Sequence, residues 1–139
     1  MKKKFASSAV LAVSAIIIYG LLSGFKPFVD GKPWPVPDKF KTMKNPVASN
    51  AESIASGKTL WATHCKSCHG TKGLGDGSKA AQLKTEPGDF SKADVQAQSD
   101  GSFFYKISEG RDDMPSFKKK IPDQDDLWSL VNYLRTFKK

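Results

Sequence analysis

An all-α domain is the fold class that the sequence predicts, on three observations. Leu127, Leu130, Val131 and Leu134 recur at i, i+3, i+4 and i+7 near the C-terminus, the stripe that an amphipathic helix buries. Ile54, Gly57, Trp61 and Cys65 recur at helical spacing on one face further upstream. No segment alternates apolar and polar residues with the period of two expected of a half-buried strand. At 139 residues the chain allows one compact domain plus appendages.

The first element is apolar. After Lys2, Lys3 and Lys4, residues 5–25 carry no charge, and as a helix at about 1.5 Å per residue they match the roughly 30 Å core of a bilayer. A cleaved signal peptide has a shorter apolar region and an Ala-x-Ala-like site, and the small residues around Leu22-Ser23-Gly24 are poorly placed for one. An uncleaved signal anchor over residues 1–25 is therefore expected. The flanking lysines put the N-terminus in the cytoplasm and the following domain on the outer side of a bacterial cytoplasmic membrane. Cleavage would instead leave a soluble periplasmic protein.

Residues 26–50 contain Pro27, Pro33, Pro35, Pro37 and Pro46, a composition suited to a semi-rigid extended spacer. Trp34, Phe40 and Met43 leave open whether this segment is solvated or folds back onto the domain, which is expected to occupy residues 51–139. Ser49 and Glu52 match a capping box and predict a helix start near residue 50. Gly57 in mid-helix costs about 1 kcal/mol relative to alanine, which points to close approach of another element; a tolerated surface glycine is the alternative.

That helix leads into Cys65-Lys66-Ser67-Cys68-His69. Cys-x-x-Cys-His is the attachment pattern of c-type haem: two thiols about one helical turn apart reach the two vinyl groups of one porphyrin, and the adjacent imidazole of His69 reaches the iron. Three alternatives weigh less. A thioredoxin-like dithiol would sit in a βαβ pattern, whereas these flanks are helical and loop-like. A zinc site needs about four ligands, and beyond the two cysteines only His64 and carboxylates are at hand. A Cys65–Cys68 disulfide would close a loop too short to contribute much.

Residues 70–98 hold Gly70, Gly73, Gly75, Gly77, Pro87 and Gly88 and read as a long loop with one short helix over 78–83. The glycines form no dinucleotide fingerprint, since no strand precedes them; close wrapping of the cofactor is expected. A helix over 101–108 follows, with Asp100 as N-cap, Phe103, Phe104 and Ile107 inward, and Gly110 as its stop. The last helix is expected from about Asp123 to Phe137, with Asp123, Asp125 and Asp126 at its positive end and Arg135, Lys138 and Lys139 at its negative end.

The formal charge is +8, of which the three N-terminal lysines supply +3. A modest basic excess suits acidic protein surfaces or anionic membrane. No basic stripe interleaves with aromatics, so nucleic acid is not an expected partner.

The helix ending in Cys-x-x-Cys-His, the Gly75-Asp76-Gly77 turn, Met114-Pro115-Ser116-Phe117 and the terminal Trp128-Ser129-Leu130-Val131-Asn132-Tyr133-Leu134-Arg135 together resemble a class I monohaem c-type cytochrome over residues 51–139. The resemblance implies the class I cytochrome c fold around one covalent haem c. It implies that the first and last helices cross through Gly57 and Trp61 against Leu130 and Tyr133. It also implies Met114 as second axial ligand to His69; Met1 at the terminus and Met43, which no proline follows, are weaker candidates. A proline carbonyl is expected to accept from the other ring nitrogen of His69, with Pro87 the candidate.

A thioether with a neutral imidazole favours ferrous iron. With both axial positions filled by protein, the expected function is one-electron transfer between protein donor and acceptor in a respiratory chain, and not catalysis. Two alternatives stay open: a fixed subunit of a larger membrane oxidoreductase of terminal oxidase or nitric-oxide reductase type, and a sensor or peroxidase if Met114 is displaceable. Lys118-Lys119-Lys120 with Lys66, Lys72 and Lys79 would steer an acidic partner or form an ordinary solvated face.

Overall fold

The computed structural model describes residues 33–139; the expected anchor over 1–25 and residues 26–32 of the spacer lie outside the described residues. Pro33–Lys139 form one compact unit. Its helices are α1 (Asp38–Lys41), α2 (Ala51–His64), α3 (Lys66–His69), α4 (Ala93–Gln96), α5 (Asp100–Glu109) and α6 (Gln124–Arg135), with a 3-10 turn at Ala80–Gln82. Among the described residues there is no strand, only an isolated bridge between Arg111 and Met114. None of these helices is long and apolar enough to cross a membrane.

Two of the helix starts are set by side chains one position away from those expected. For α2 the cap is Asn50, not Ser49: its side chain accepts from Ser53 N–H at 2.9 Å, and Ser53 Oγ accepts from Asn50 N–H at 3.2 Å. Asn-x-x-Ser thus replaces the expected Ser-x-x-Glu, with the carboxamide serving the cap as well as a hydroxyl would. For α5 the cap is Ser99, which accepts from Ser102 N–H at 3.2 Å. Asp100, the expected cap, accepts from Arg135 Nε at 2.8 Å instead. Gly110 ends α5 with φ of 68° as expected. Asp123 caps α6 by accepting from Asp125 N–H at 2.9 Å.

The core lies where α2 and α6 cross. A Cβ on Gly57 would run into the carbonyl oxygen of Ser129 and come within 2.8 Å of Tyr133 Cβ, so only glycine permits this approach. Gly57 therefore meets α6 at Ser129 and Tyr133, while Trp61 stacks at a tilt 6.1 Å from Tyr133. Leu130, Val131 and Leu134 are at most 2% exposed, as their stripe predicts. Phe104 of α5 stacks on Trp128 of α6 with centroids 4.2 Å apart.

The described part of the proline-rich segment folds back. Phe40 lies 4.8 Å from Tyr105 and 6.5 Å from Phe104, and a Cβ on Gly101 would strike the Phe40 carbonyl. Asn45 Nδ2 donates to the Trp128 carbonyl at 3.2 Å and to Asn132 Oδ1 at 2.8 Å. Asn132 Nδ2 in turn faces the carbonyls of Val47 and Ala48 and Ser53 Oγ at 3.1 to 3.3 Å. Asn132 thus joins the incoming chain, the α2 cap and α6 at one buried point. Asn132→Ala is expected to lower stability by about 2 kcal/mol, because it strands several buried polar partners at once. Denaturant unfolding of the haem-loaded protein measures this, and an unchanged midpoint would refute it.

Candidate functional site

Cys65 ends α2 and caps α3, so the Cys-x-x-Cys-His run forms a single short helical turn. Cys65 is buried and Cys68 half-buried, and the two thiols are not joined by a disulfide. Burial, with Cys68 beside it, pushes the Cys65 thiol up to about 12. The group is thus a neutral, apolar thiol in the folded chain. Among the described residues no group of three or more His, Cys, Asp or Glu side chains gathers as a metal site, so the zinc alternative lacks its donors.

The glycine-rich loop closes onto this turn. Gly75 N–H donates to the His69 carbonyl at 2.9 Å, Gly77 N–H to the Cys68 carbonyl at 3.2 Å and Lys79 N–H to the Ser67 carbonyl at 2.8 Å. A Cβ on Gly77 would collide with the backbone of Ser67 and Cys68. These contacts tie the start of the loop to the motif's own backbone.

The His69 ring packs against two aromatic side chains, Trp61 and Phe90, that also meet each other edge-on at 5.6 Å. Trp61 lies 5.6 Å and Phe90 5.2 Å from the His69 ring, centroid to centroid. Trp61 is locked by its own Nε1–H, which donates to the Gly70 carbonyl at 3.1 Å. Phe90 is fixed through its backbone: its N–H donates to the Gly73 carbonyl at 2.7 Å, and its carbonyl accepts from the buried Gln96 Nε2 at 2.7 Å. Burial lowers the His69 pKa, while the nearby Pro87 backbone acts in the opposite direction. A buried imidazole is therefore neutral, the form that ligates a metal. His69 Nδ1 is buried without a partner in hydrogen-bond geometry, so the expected bond to Pro87 is an approach and not a formed bond.

Cys65, Cys68, His69 and Met114 line one cavity of about 190 Å³, although Met114 lies far along the chain from the motif. Pro87 and Phe117 contribute to its wall. Met114 is half-buried, and its loop is anchored below by Phe117, whose N–H donates to the Ile107 carbonyl at 3.2 Å, and by Ser116 Oγ, which donates to the Ser108 carbonyl at 2.6 Å. His64 also borders the cavity, edge-on to Phe117 at 5.8 Å. Met43, the weaker methionine candidate, lies against Gly101 on α5 and does not line the cavity.

Sequence reasoning missed three contributors. Phe90 stands in an irregular loop, where no periodicity marks an inward side chain. Gln96 belongs to the four-residue α4, too short to carry a stripe. Arg135, expected only to complement the end of α6, donates to the carbonyls of Gln96 at 2.7 Å and Gln98 at 2.6 Å as well as to Asp100, and its guanidinium covers Phe103 at 4.8 Å.

The residues present fit a covalent c-type haem. Two unbridged thiols, a buried neutral imidazole and a largely apolar cavity lined by all three are the donor set it needs.

Comparison with known proteins agrees. Residues 52–134, more than half of the chain, match the family described as cytochrome C oxidase, cbb3-type, subunit III. Among solved structures the chain is similar to the Kuenenia stuttgartiensis reducing HAO-like protein complex Kustc0457/Kustc0458, with a TM-score of 0.63 and 25% identity over 90% of this chain. It spans 60% of the length of that structure's chain. It is also similar to the KustC0563 c-type cytochrome, with a TM-score of 0.53 and 34% identity over 60% of this chain and 98% of that one. No curated protein matches. The chain belongs to the cytochrome C oxidase, cbb3-type, subunit III family and is a monohaem class I c-type cytochrome, its haem c held covalently by Cys65 and Cys68.

Proposed function

We propose that this chain is a one-electron carrier whose iron is closed by His69 on one side and Met114 on the other, and that it is not an enzyme. The observation that carries the reading is that one cavity is lined both by the Cys-x-x-Cys-His turn and by Met114. The haem, when bound, supplies a one-electron couple. The protein supplies the rest. Trp61 and Phe90 hold the His69 ring in one orientation, so little has to rearrange when the charge changes. The thioether of Met114 and the apolar surroundings disfavour the more positive ferric state and raise the potential. Two protein ligands leave no open position for a substrate.

The test is a reductive titration of the haem-loaded full chain. It should take up one electron per chain and return it to a one-electron acceptor such as ferricyanide, without consuming peroxide. Catalytic turnover of peroxide would replace the carrier reading with an enzymatic one.

The proposal includes a membrane tether through residues 5–25, with the haem domain on the outer side of a bacterial cytoplasmic membrane, and service in a respiratory chain. It rests on the uncharged run and the lysines before it. A second reading, a fixed subunit of a larger membrane oxidoreductase, is favoured by the family's description as an oxidase subunit. Size-exclusion of a mild-detergent membrane extract separates the two: elution as one small protein in a micelle supports the shuttle, and co-elution with a large complex supports the subunit.

Lys118, Lys119 and Lys120 directly follow the cavity-lining Phe117. Lys118 pairs with Glu109, and Lys120 sits 5.5 Å over the Phe117 ring. If this run steers an acidic partner, the bimolecular rate should fall about tenfold or more between about 0.01 M and about 1 M salt, as the Debye length shrinks from about 30 Å to about 3 Å. Stopped-flow oxidation by the partner measures it, and a flat salt profile would reduce the run to a solvated face.

A further inference from the structure

We propose that Trp34 and Arg111 form a brace that holds the ligand loop over the cavity, which makes Trp34 a positioning residue for Met114; this rests on the reading of Met114 as the axial ligand. The loop between Gly110 and Phe117 belongs to no helix or strand and contains the one described non-glycine residue with positive φ, Asp112 at 51°. A loop of this kind needs outside support to keep one side chain at a fixed distance from a metal.

Arg111 provides the link. Its N–H donates to the Met114 carbonyl at 2.8 Å, and the Met114 N–H donates back to the Arg111 carbonyl at 2.9 Å, so the backbones of these two residues move together. The Arg111 side chain reaches into the segment that precedes α1. Its Nη1 donates to the Pro33 carbonyl at 2.9 Å, and the guanidinium lies 4.6 Å from the centre of the Trp34 ring. Lys106 of α5 approaches the same ring, 5.5 Å from its centre, and is itself held by Gln98 Oε1. The half-buried indole thus joins the ligand loop to α5, and it lines the cofactor cavity with Arg111 and Met114.

The chemistry explains why such a brace matters. A thioether is a weak ligand, and its hold on iron depends on how much freedom its loop regains on letting go. Residues 33 and 34 reduce that freedom without touching the core at the α2 and α6 crossing. Of the two outcomes open for the proline-rich segment, folding back makes it part of the site, with cation–π contact and a charge-assisted hydrogen bond as its grip.

Titration of the ferric, haem-loaded full chain with imidazole reads the strength of the native sixth ligand. Trp34→Ala is expected to lower the imidazole concentration for half-displacement about tenfold. Trp34→Phe, which keeps an aromatic face, should stay within about threefold of the parent. Arg111→Lys, which keeps the charge but loses the planar fork, should shift in the same direction as Trp34→Ala. Helical content by circular dichroism should be unchanged in all three. Parent-like imidazole binding in both Trp34→Ala and Arg111→Lys, alongside much tighter binding in Met114→Ala, would overturn the brace. Parent-like binding in Met114→Ala would overturn the ligand reading, and the brace with it.

Discussion

Met114→Ala should turn a closed iron into an open one: the reduced, haem-loaded protein goes from no detectable CO uptake to about one CO per haem, and its reduction potential falls. The direction follows from the donor set. Under the proposed ligation, removing the thioether would take away the ligand that favours the ferrous state and leave a position that alanine cannot fill. The covalent attachment is untouched, since Cys65 and Cys68 lie on a different segment of the cavity wall. A CO difference spectrum with a parallel potentiometric titration measures both effects. Continued closure to CO in the variant would mean that another side chain completes the coordination, and His64, which borders the same cavity, would be examined next.

The second large effect is on stability. Gly57→Ala at an exposed helix position would gain about 1 kcal/mol from propensity alone. At this crossing the added methyl meets the carbonyl of Ser129, a backbone atom that cannot swing aside, and then Tyr133 Cβ at 2.8 Å. Overpacking of this kind typically costs about 1 to 3 kcal/mol and more where backbone must shift, so a net loss of at least about 2 kcal/mol is expected. Denaturant unfolding decides by sign. A stabilised Gly57→Ala would mean that the two helices stand further apart than described.

The elements with a physical period were legible in the sequence. The α6 stripe and the inward Phe103, Phe104 and Ile107 followed from spacing, because burial of one helix face dictates which positions are apolar, and the close approach at Gly57 was suggested by the cost of a glycine in mid-helix. The starts of α2 and α5 slipped by one residue. Ser49 and Asn50, like Ser99 and Asp100, are neighbouring polar residues that can each cap, and the choice is made by tertiary partners: Ser53 answers Asn50, and Arg135 takes Asp100.

The attachment turn was legible because its chemistry is local in sequence, whereas the walls around it were not. Phe90 and Gln96 act across long separations from irregular or very short segments. The proline-rich stretch left two outcomes open for a related reason. Its composition argues against a core of its own, but Trp34, Phe40 and Asn45 need only find partners on a core already formed, which they do at Arg111, Tyr105 and Asn132.

The most direct test of the closed, His69 and Met114 ligated iron is the proton spectrum of the reduced protein with its methionine methyl groups labelled. The chain has 3 methionines. A methyl bonded to axial sulfur lies over the porphyrin face, where the ring current shields it strongly. One methionine methyl far upfield, lost in Met114→Ala and kept in Met43→Ala, is the expected result. Three unshifted methyls, or an upfield methyl that survives Met114→Ala, would contradict the account.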